Sequence, residues 1–406
     1  MRPKNNFDLL RLMAAFQVVI GHAVDFMGVD LPVGLEQLYT VIRWFPGVPV
    51  FFGISGYLLA RSLTRNPDLR NYARNRALRI FPGLWGCIIG TLVLLAAAGL
   101  LFDLSPGRLV AFVVAQLTVG QFWAPFPISD YGLGSPNTPN PALWTIRVEI
   151  GFYLALPFLL LGGRRLLGSA RRLDVGLITA AVVSYVLYSQ WGDPTVDDST
   201  FPLLGRLVVN SPAPFIWLFI AGVLLYRHEA TVKRLLVGRA GRWLVLFLAV
   251  RGAVWLAFEA GQGSGAEVPL AVLGLANLVL LAPAFALAFS AAPLVRRLHP
   301  PDDISYGVYV WHLVILNALV HWEVATGWLG AGLVIVGAGV AGQISWRLIE
   351  RPALARKKAS SISSPDSAST SAAADTPVTV EVDLTEDLDL RVGQGPKSDQ
   401  VSTTGP

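Results

Sequence analysis

The stretch FDLLRLMAAFQVVIGHAVDFM, residues 7–27, is apolar over the length of a membrane-spanning helix, yet it carries Arg11 and His22. An arginine inside hydrocarbon costs roughly 2.5–3.5 kcal/mol on insertion scales. It persists where it faces a cavity or another helix instead of lipid. His22 follows Arg11 by eleven positions, or three turns. Both side chains therefore fall on nearly the same face, roughly 16 Å apart at 1.5 Å of rise per residue. Read this way, the stretch predicts an all-α, polytopic membrane protein whose first span carries a cation near one mouth and an imidazole deeper in.

Composition agrees. Of 406 residues, 53% are hydrophobic and 15% are charged, and the mean hydropathy is +0.55. Soluble domains carry about 25% charged residues. The single cysteine, Cys87, excludes an intramolecular disulfide, and the five histidines fall in no metal-ligand spacing, so no metal is expected. Net charge is +5, but residues 359–406 hold eight acids and two bases, a net −6 that leaves +11 for residues 1–358. The basic residues of 1–358 cluster between apolar runs, the pattern of cytoplasmic loops and not of a nucleic-acid surface.

Ten spans are expected, near 7–27, 39–60, 80–102, 143–161, 175–191, 213–227, 243–259, 268–290, 304–322 and 328–349. The first is read as uncleaved, because Arg11 interrupts the apolar centre a signal peptide would need. The arginine-rich segment 61–79 fixes its side as cytoplasmic by the positive-inside rule. The run 109–122 is a re-entrant or interfacial helix on the other side, since counting it as a span would put Arg164, Arg165, Arg171 and Arg172 outside. The proline-rich loop 124–141, without a basic residue, fits that outer side. Both termini are then cytoplasmic and the whole lies in the plasma membrane. Residues 1–358 form the membrane domain, and 359–406 read as a disordered, acidic, cytoplasmic tail.

Several polar residues within the spans are candidates for chemistry. An imidazole with an ordinary pKa near 6.5 suits proton abstraction, though His22 could also be a buried interhelical hydrogen-bonding group. Asp25, one turn on, could orient that ring or be an exposed helix-end residue. Glu149 needs a partner or a proton at its depth, and His22 is one option. Arg76 and Arg79 stand one turn apart at the level of Arg11, where three guanidiniums could clasp a phosphorylated ligand. Trp144, Tyr309 and His312 are candidates for an acceptor site; as alternatives, Trp144 and Tyr309 are interfacial anchors and His312 is structural.

Taken together, FDLLRL with His22, Phe51–Leu58 (FFGISGYL), Arg76-Ala-Leu-Arg79, Leu143-Trp-Thr with Glu149, and Ser305-Tyr with Tyr309-Val-Trp-His312 resemble the acyltransferase 3 family of integral-membrane O-acyltransferases. The resemblance covers roughly residues 5–352, with Thr145 standing where the family often has Ser. It implies transfer of an acyl group, commonly acetyl from acetyl-CoA, to a hydroxyl of a glycan, lipid-linked glycan or glycosylated metabolite. Acyl-CoA would be a co-substrate and not a resident cofactor. In that reading Arg11, Arg76 and Arg79 take the CoA phosphates, the pantetheine arm follows one tunnel from Arg11 to His22, and His22 is the base. Glu149 or Asp25 would hold its ring. The competing reading is a non-enzymatic carrier or flippase for a glycan or lipid, which inverted repeats would favour; none is visible. The acceptor's identity and the oligomeric state are not legible.

Overall fold

A computed structural model describes residues 5–102, 104–118, 131–133, 139–192, 203–260, 268–290, 295, 297–298 and 300–362. The described chain is all-α. Its helices are α1 (Phe7–Phe26), α2 (Val33–Arg43), α3 (Gly47–Arg65), α4 (Leu69–Ala97), α5 (Pro106–Leu117), α6 (Trp144–Pro157), α7 (Gly163–Leu167), α8 (Ala170–Trp191), α9 (Leu203–Val209), α10 (Ile216–Arg227), α11 (Glu229–Leu236), α12 (Ala240–Val254), α13 (Leu270–Ala288), α14 (Ser305–His321), α15 (Gly327–Ser345) and α16 (Arg351–Ile362). Among the described residues, eight helical segments are long and apolar enough to cross a membrane. The other two expected spans are the shorter α10 and α14, of 12 and 17 residues. Leu154, Phe158, Val182, Leu256 and Val336 are exposed on these helices, a density of outward apolar side chains that suits lipid and not water.

Two boundaries differ from expectation. The second span breaks at Trp44–Pro46: α2 is a separate amphipathic helix with no buried residue, and the membrane helix begins at Gly47. Proline at position 46 has no amide to continue the ladder. The third span begins at Leu69 and not near 80, because the Asp68 side chain accepts from the Arg70 and Asn71 amides and caps α4. Arg76 and Arg79 are thus helical, one turn apart, with their directions fixed. The helix expected at 109–122 is α5, short and partly exposed. Of the expected tail only 359–362 are described, as the end of α16, and most of the loop 124–141 also lies outside the described residues.

Residues 1–358 form one compact unit. At its centre α1 packs on α3, α14 and α15, α14 packs on α4, and α3 lies along α10. The last contact depends on glycine. A Cβ at Gly56 would stand 1.9 Å from the Phe219 carbonyl oxygen, and one at Gly222 would stand 2.0 Å from that of Gly53. Small residues let backbones approach where no hydrophobic effect drives helices together in lipid. The start of α1 is tied down by Asn6, which donates to the carbonyls of Leu287 (3.2 Å) and Ser290 (2.8 Å). Phe7 packs against Tyr57 and Phe285 at 5.2 and 5.7 Å between ring centroids. The start of α1 is thereby held in register with α3 and α13.

Candidate active site

Between α1, α3, α4, α6 and α14 lies a cavity of about 350 Å³. Arg11, Arg76 and Arg79 all line it, together with Ser55, Thr145, Glu149, Tyr153, Asp303 and Tyr309. Three cations that the sequence spreads over 69 positions therefore meet at one mouth. Asp303, just before α14, organises two of them. Its carboxylate is 2.6 Å from Arg79 and 3.7 Å from Arg11. Burial alone pushes the Asp303 carboxyl up, but the guanidiniums of Arg79 and Arg11, and hydrogen bonds from Ser305, hold it below the usual carboxylate range. Arg79 also reaches Glu350 at 3.8 Å, and Arg11 reaches Asp8 at 3.8 Å. Arg76 is different. Its Nε is buried with no hydrogen-bond partner, and the guanidinium stands 5.8 Å from the Tyr153 ring centroid. Among the described residues no carboxylate pairs with it, so it is the guanidinium most open to an incoming anion.

Glu149 lines the same cavity. It accepts from the hydroxyls of Ser55 (3.0 Å) and Tyr153 (2.6 Å), and α6, which carries it, packs on α3 and α4. It is not the partner of His22. Neither is Asp25, which is exposed at the end of α1 and takes a hydrogen bond from Tyr39 (2.7 Å), with Arg43 at 3.7 Å. In both cases hydroxyls take up the carboxylate: Tyr153 of its own helix and Ser55 of α3 for Glu149, and Tyr39 of α2 for Asp25. Trp144 does not line this cavity. It packs against Phe215 (5.0 Å) and Phe52 (6.3 Å) in the aromatic core.

His22 pairs instead with His312. Nδ1 of His22 and Nε2 of His312 are 2.8 Å apart, and the rings stack at 5.1 Å with 23° between planes. His312 is fully buried, and its Nδ1 bonds to the Tyr309 carbonyl one turn back on α14. His22 is partly buried and near the far end of α1. The cavity that holds Arg11 does not extend to His22 or His312 in its lining. Tyr309 lines its wall, the ring 5.6 Å from His312 and 5.9 Å from Phe51, and the histidine pair lies on the other side of that ring. Tyr309 is pinned there: the Thr145 hydroxyl donates to its oxygen at 3.0 Å, and it donates to the Ala142 carbonyl at 3.2 Å. The molecule thus has a cationic cavity on one side of a tyrosine and a histidine pair on the other.

A second cavity of about 390 Å³ adjoins the first, with Leu58 and Asn75 in both walls. Arg61 and Arg65, one turn apart on α3, line it with Asn66 and Asn71. The sequence reading used these arginines only for orientation. Their i,i+4 spacing was the available signal for a shared face.

The fold and site thus define a helical membrane protein with guanidiniums gathered at one cavity and a histidine pair beyond it. The comparisons give its class. The family model Acyl_transf_3, described as an acyltransferase domain, matches residues 4–345; the chain belongs to this family and is an acyltransferase. It is 31% identical over 360 residues to Nodulation protein 10 of Rhizobium leguminosarum bv. viciae, covering 86% of this chain and 93% of that one. It is 25% identical over 334 residues to the peptidoglycan O-acetyltransferase OatA of Listeria monocytogenes, covering 76% of this chain and about half, 51%, of OatA. The O-acetyl transferase of Shigella phage Sf6 matches at 31% over 157 residues, 38% of this chain and 45% of that one. No solved structure matches.

Proposed function

We propose that the protein is a plasma-membrane O-acyltransferase that moves an acyl group, in the first instance acetyl, from acyl-CoA to a hydroxyl of a glycan or glycosylated acceptor. The observation that carries this reading is the convergence of Arg11, Arg76 and Arg79 on one cavity that ends against Tyr309, with His22 and His312 two rings further on. Guanidinium forks match phosphate oxygens in geometry and charge. The CoA phosphates bind at Arg76 first, with Arg11 and Arg79 held ready by Asp303, and the nucleotide end lies toward Arg61 and Arg65. The pantetheine arm is linear and fills the apolar depth between Phe51 and Tyr309. For the thioester to meet His22, the Tyr309 ring swings away from Thr145 and Ala142, at the cost of two hydrogen bonds. Both termini are cytoplasmic, so the donor enters from the cell interior.

In the transfer step the acceptor hydroxyl gives its proton to His22 as its oxygen bonds the acyl carbon. The carbon–sulfur bond then breaks, and the sulfur leaves with the electron pair and takes the proton from His22. A base placed in this way accelerates transfer by about 10²–10⁴-fold. The relatives favour acetyl and a glycan acceptor: the Sf6 protein is named for O-acetyl transfer, and OatA for O-acetyl transfer to peptidoglycan. The acidic segment 359–406 takes no part, and its deletion leaves activity intact.

The test is transfer of labelled acetyl from acetyl-CoA by purified protein in lipid, paired with mass spectrometry of envelope glycans and secreted glycosides from cells with and without the gene. A mass difference of one acyl group is expected. Unchanged glycans together with no labelled product would overturn the reading, and vesicle transport of a glycan without acyl-CoA would replace it with the carrier.

A further inference from the structure

The hydrogen bonds around His312 determine where the protons of the histidine pair reside. The Tyr309 carbonyl can only accept, so Nδ1 of His312 carries the hydrogen of that contact. A neutral imidazole has one N–H, which leaves Nε2 of His312 as a bare lone pair. That nitrogen is 2.8 Å from Nδ1 of His22, so His22 donates, and its own single hydrogen sits on Nδ1. Nε2 of His22 is then the unprotonated atom. Which ring nitrogen of a histidine carries the proton is set by the bond the other one makes, and here the chain of two bonds ends on a backbone oxygen that cannot reverse it.

We infer that His312 is a positioning residue: by accepting from Nδ1 of His22 it holds His22 in the tautomer whose Nε2 can take a proton from an acceptor hydroxyl. This inference rests on the reading of His22 as the base. The device differs from a triad in which a carboxylate plays the third part. His312 is a neutral acceptor, fully buried, and anchored within its own helix, so no second charge is buried in the bilayer. Neither Glu149 nor Asp25 is needed for it, which accounts for both being engaged elsewhere. When His22 gains its proton, Nδ1–H still points at the His312 lone pair, and the cation keeps its partner through the step.

Two readouts test the inference on full-length protein in lipid. The first uses ¹⁵N-labelled histidine at alkaline pH, with the His22 signal assigned by its loss in His22→Gln. Wild type is expected to carry its proton on Nδ1 of His22, and His312→Leu is expected to move it to Nε2. The second is kinetic. His312→Leu is expected to lower kcat at least 100-fold with the donor KM within about twofold. In His312→Gln the side-chain oxygen replaces the lost acceptor, and at least tenfold of that loss is expected to return. A proton on Nε2 of His22 in wild type would overturn the inference without any variant. So would a His312→Leu protein that keeps the wild-type tautomer and rate. If the tautomer is as expected but His22→Ala retains full transfer, the reading of His22 as base has failed and the proton placement stands.

Discussion

Arg11 and His22 stand three turns apart on one helix, and their surroundings differ in kind. At Arg11 a charge is balanced by charges: Asp303 lies between Arg11 and Arg79, and Glu350 and Asp8 add to the network. At His22 the hydrogen-bond partner is not a carboxylate, and Asp25, one turn on, acts on the ring only through space. A neutral ring holds a neutral ring, and a backbone carbonyl holds the second. The difference matches the tasks proposed for the two ends. A site for an anionic donor needs positive charge kept in place before the donor arrives, and a carboxylate does that. A base needs a free lone pair, which a neighbouring carboxylate is not required to create.

The comparison can be broken from either side. Asp303→Ala is expected to have the largest effect on stability, because it removes the nearest counter-charge of Arg79 and a shared one of Arg11, leaving them only Glu350 and Asp8 at 3.8 Å; breaking a fully buried pair costs about 3–5 kcal/mol, the upper bound for this partly exposed one. Thermal unfolding in detergent or nanodiscs reads this as a Tm lowered by several degrees. The same residue sets a pH dependence. Its carboxyl is held below the unfolded value, near 3.9, so its contribution is present above that pH and is lost as the pH falls through the folded value. Tm against pH is therefore expected to drop below about pH 4 in wild type and to be flatter there in Asp303→Ala. Arg76→Ala comes next. It removes the guanidinium that has no carboxylate partner among the described residues, and the donor KM is expected to rise about tenfold, equivalent to 1.4 kcal/mol, with little change in Tm. The smallest effect belongs to Asp25→Asn. Its contacts are an exposed hydrogen bond and an exposed ion pair, worth about 0–1 kcal/mol, so turnover within twofold of wild type is expected in the acetyl-transfer assay. A hundredfold loss there would restore Asp25 to the ring of His22 and undo the contrast.

The eight span-length helical segments, the shorter α10 and α14, and the meeting of Arg11 with Arg76 and Arg79 were legible because each rests on local information. Hydropathy marks the apolar runs, and Arg11 near the start of one and Arg76 and Arg79 near the start of another read at one level. The partners of the titratable groups were not legible, because they are decided by docking. His22 and His312 lie 290 positions apart, and only the packing of α14 on α1 joins them. Glu149 seemed short of a partner, yet Tyr153 one turn along the same helix supplies a hydroxyl, an i,i+4 relation that the sequence does contain. Asp303 was passed over in the run Pro300-Pro-Asp-Asp-Ile304, which reads as an ordinary turn. The break at Pro46 and the cap at Asp68 carried familiar local signals, but an apolar run masked the first and the arginine-rich segment 61–79, which reads as a loop, masked the second.

The most direct measurement takes His22→Ala in lipid and determines, on the same preparation, its affinity for acetyl-CoA and its rate of labelled acetyl transfer. The two-ended arrangement predicts donor binding within about twofold of wild type and transfer reduced by about 10²–10⁴-fold. Transfer at the wild-type rate, or donor binding lost together with activity, would contradict it.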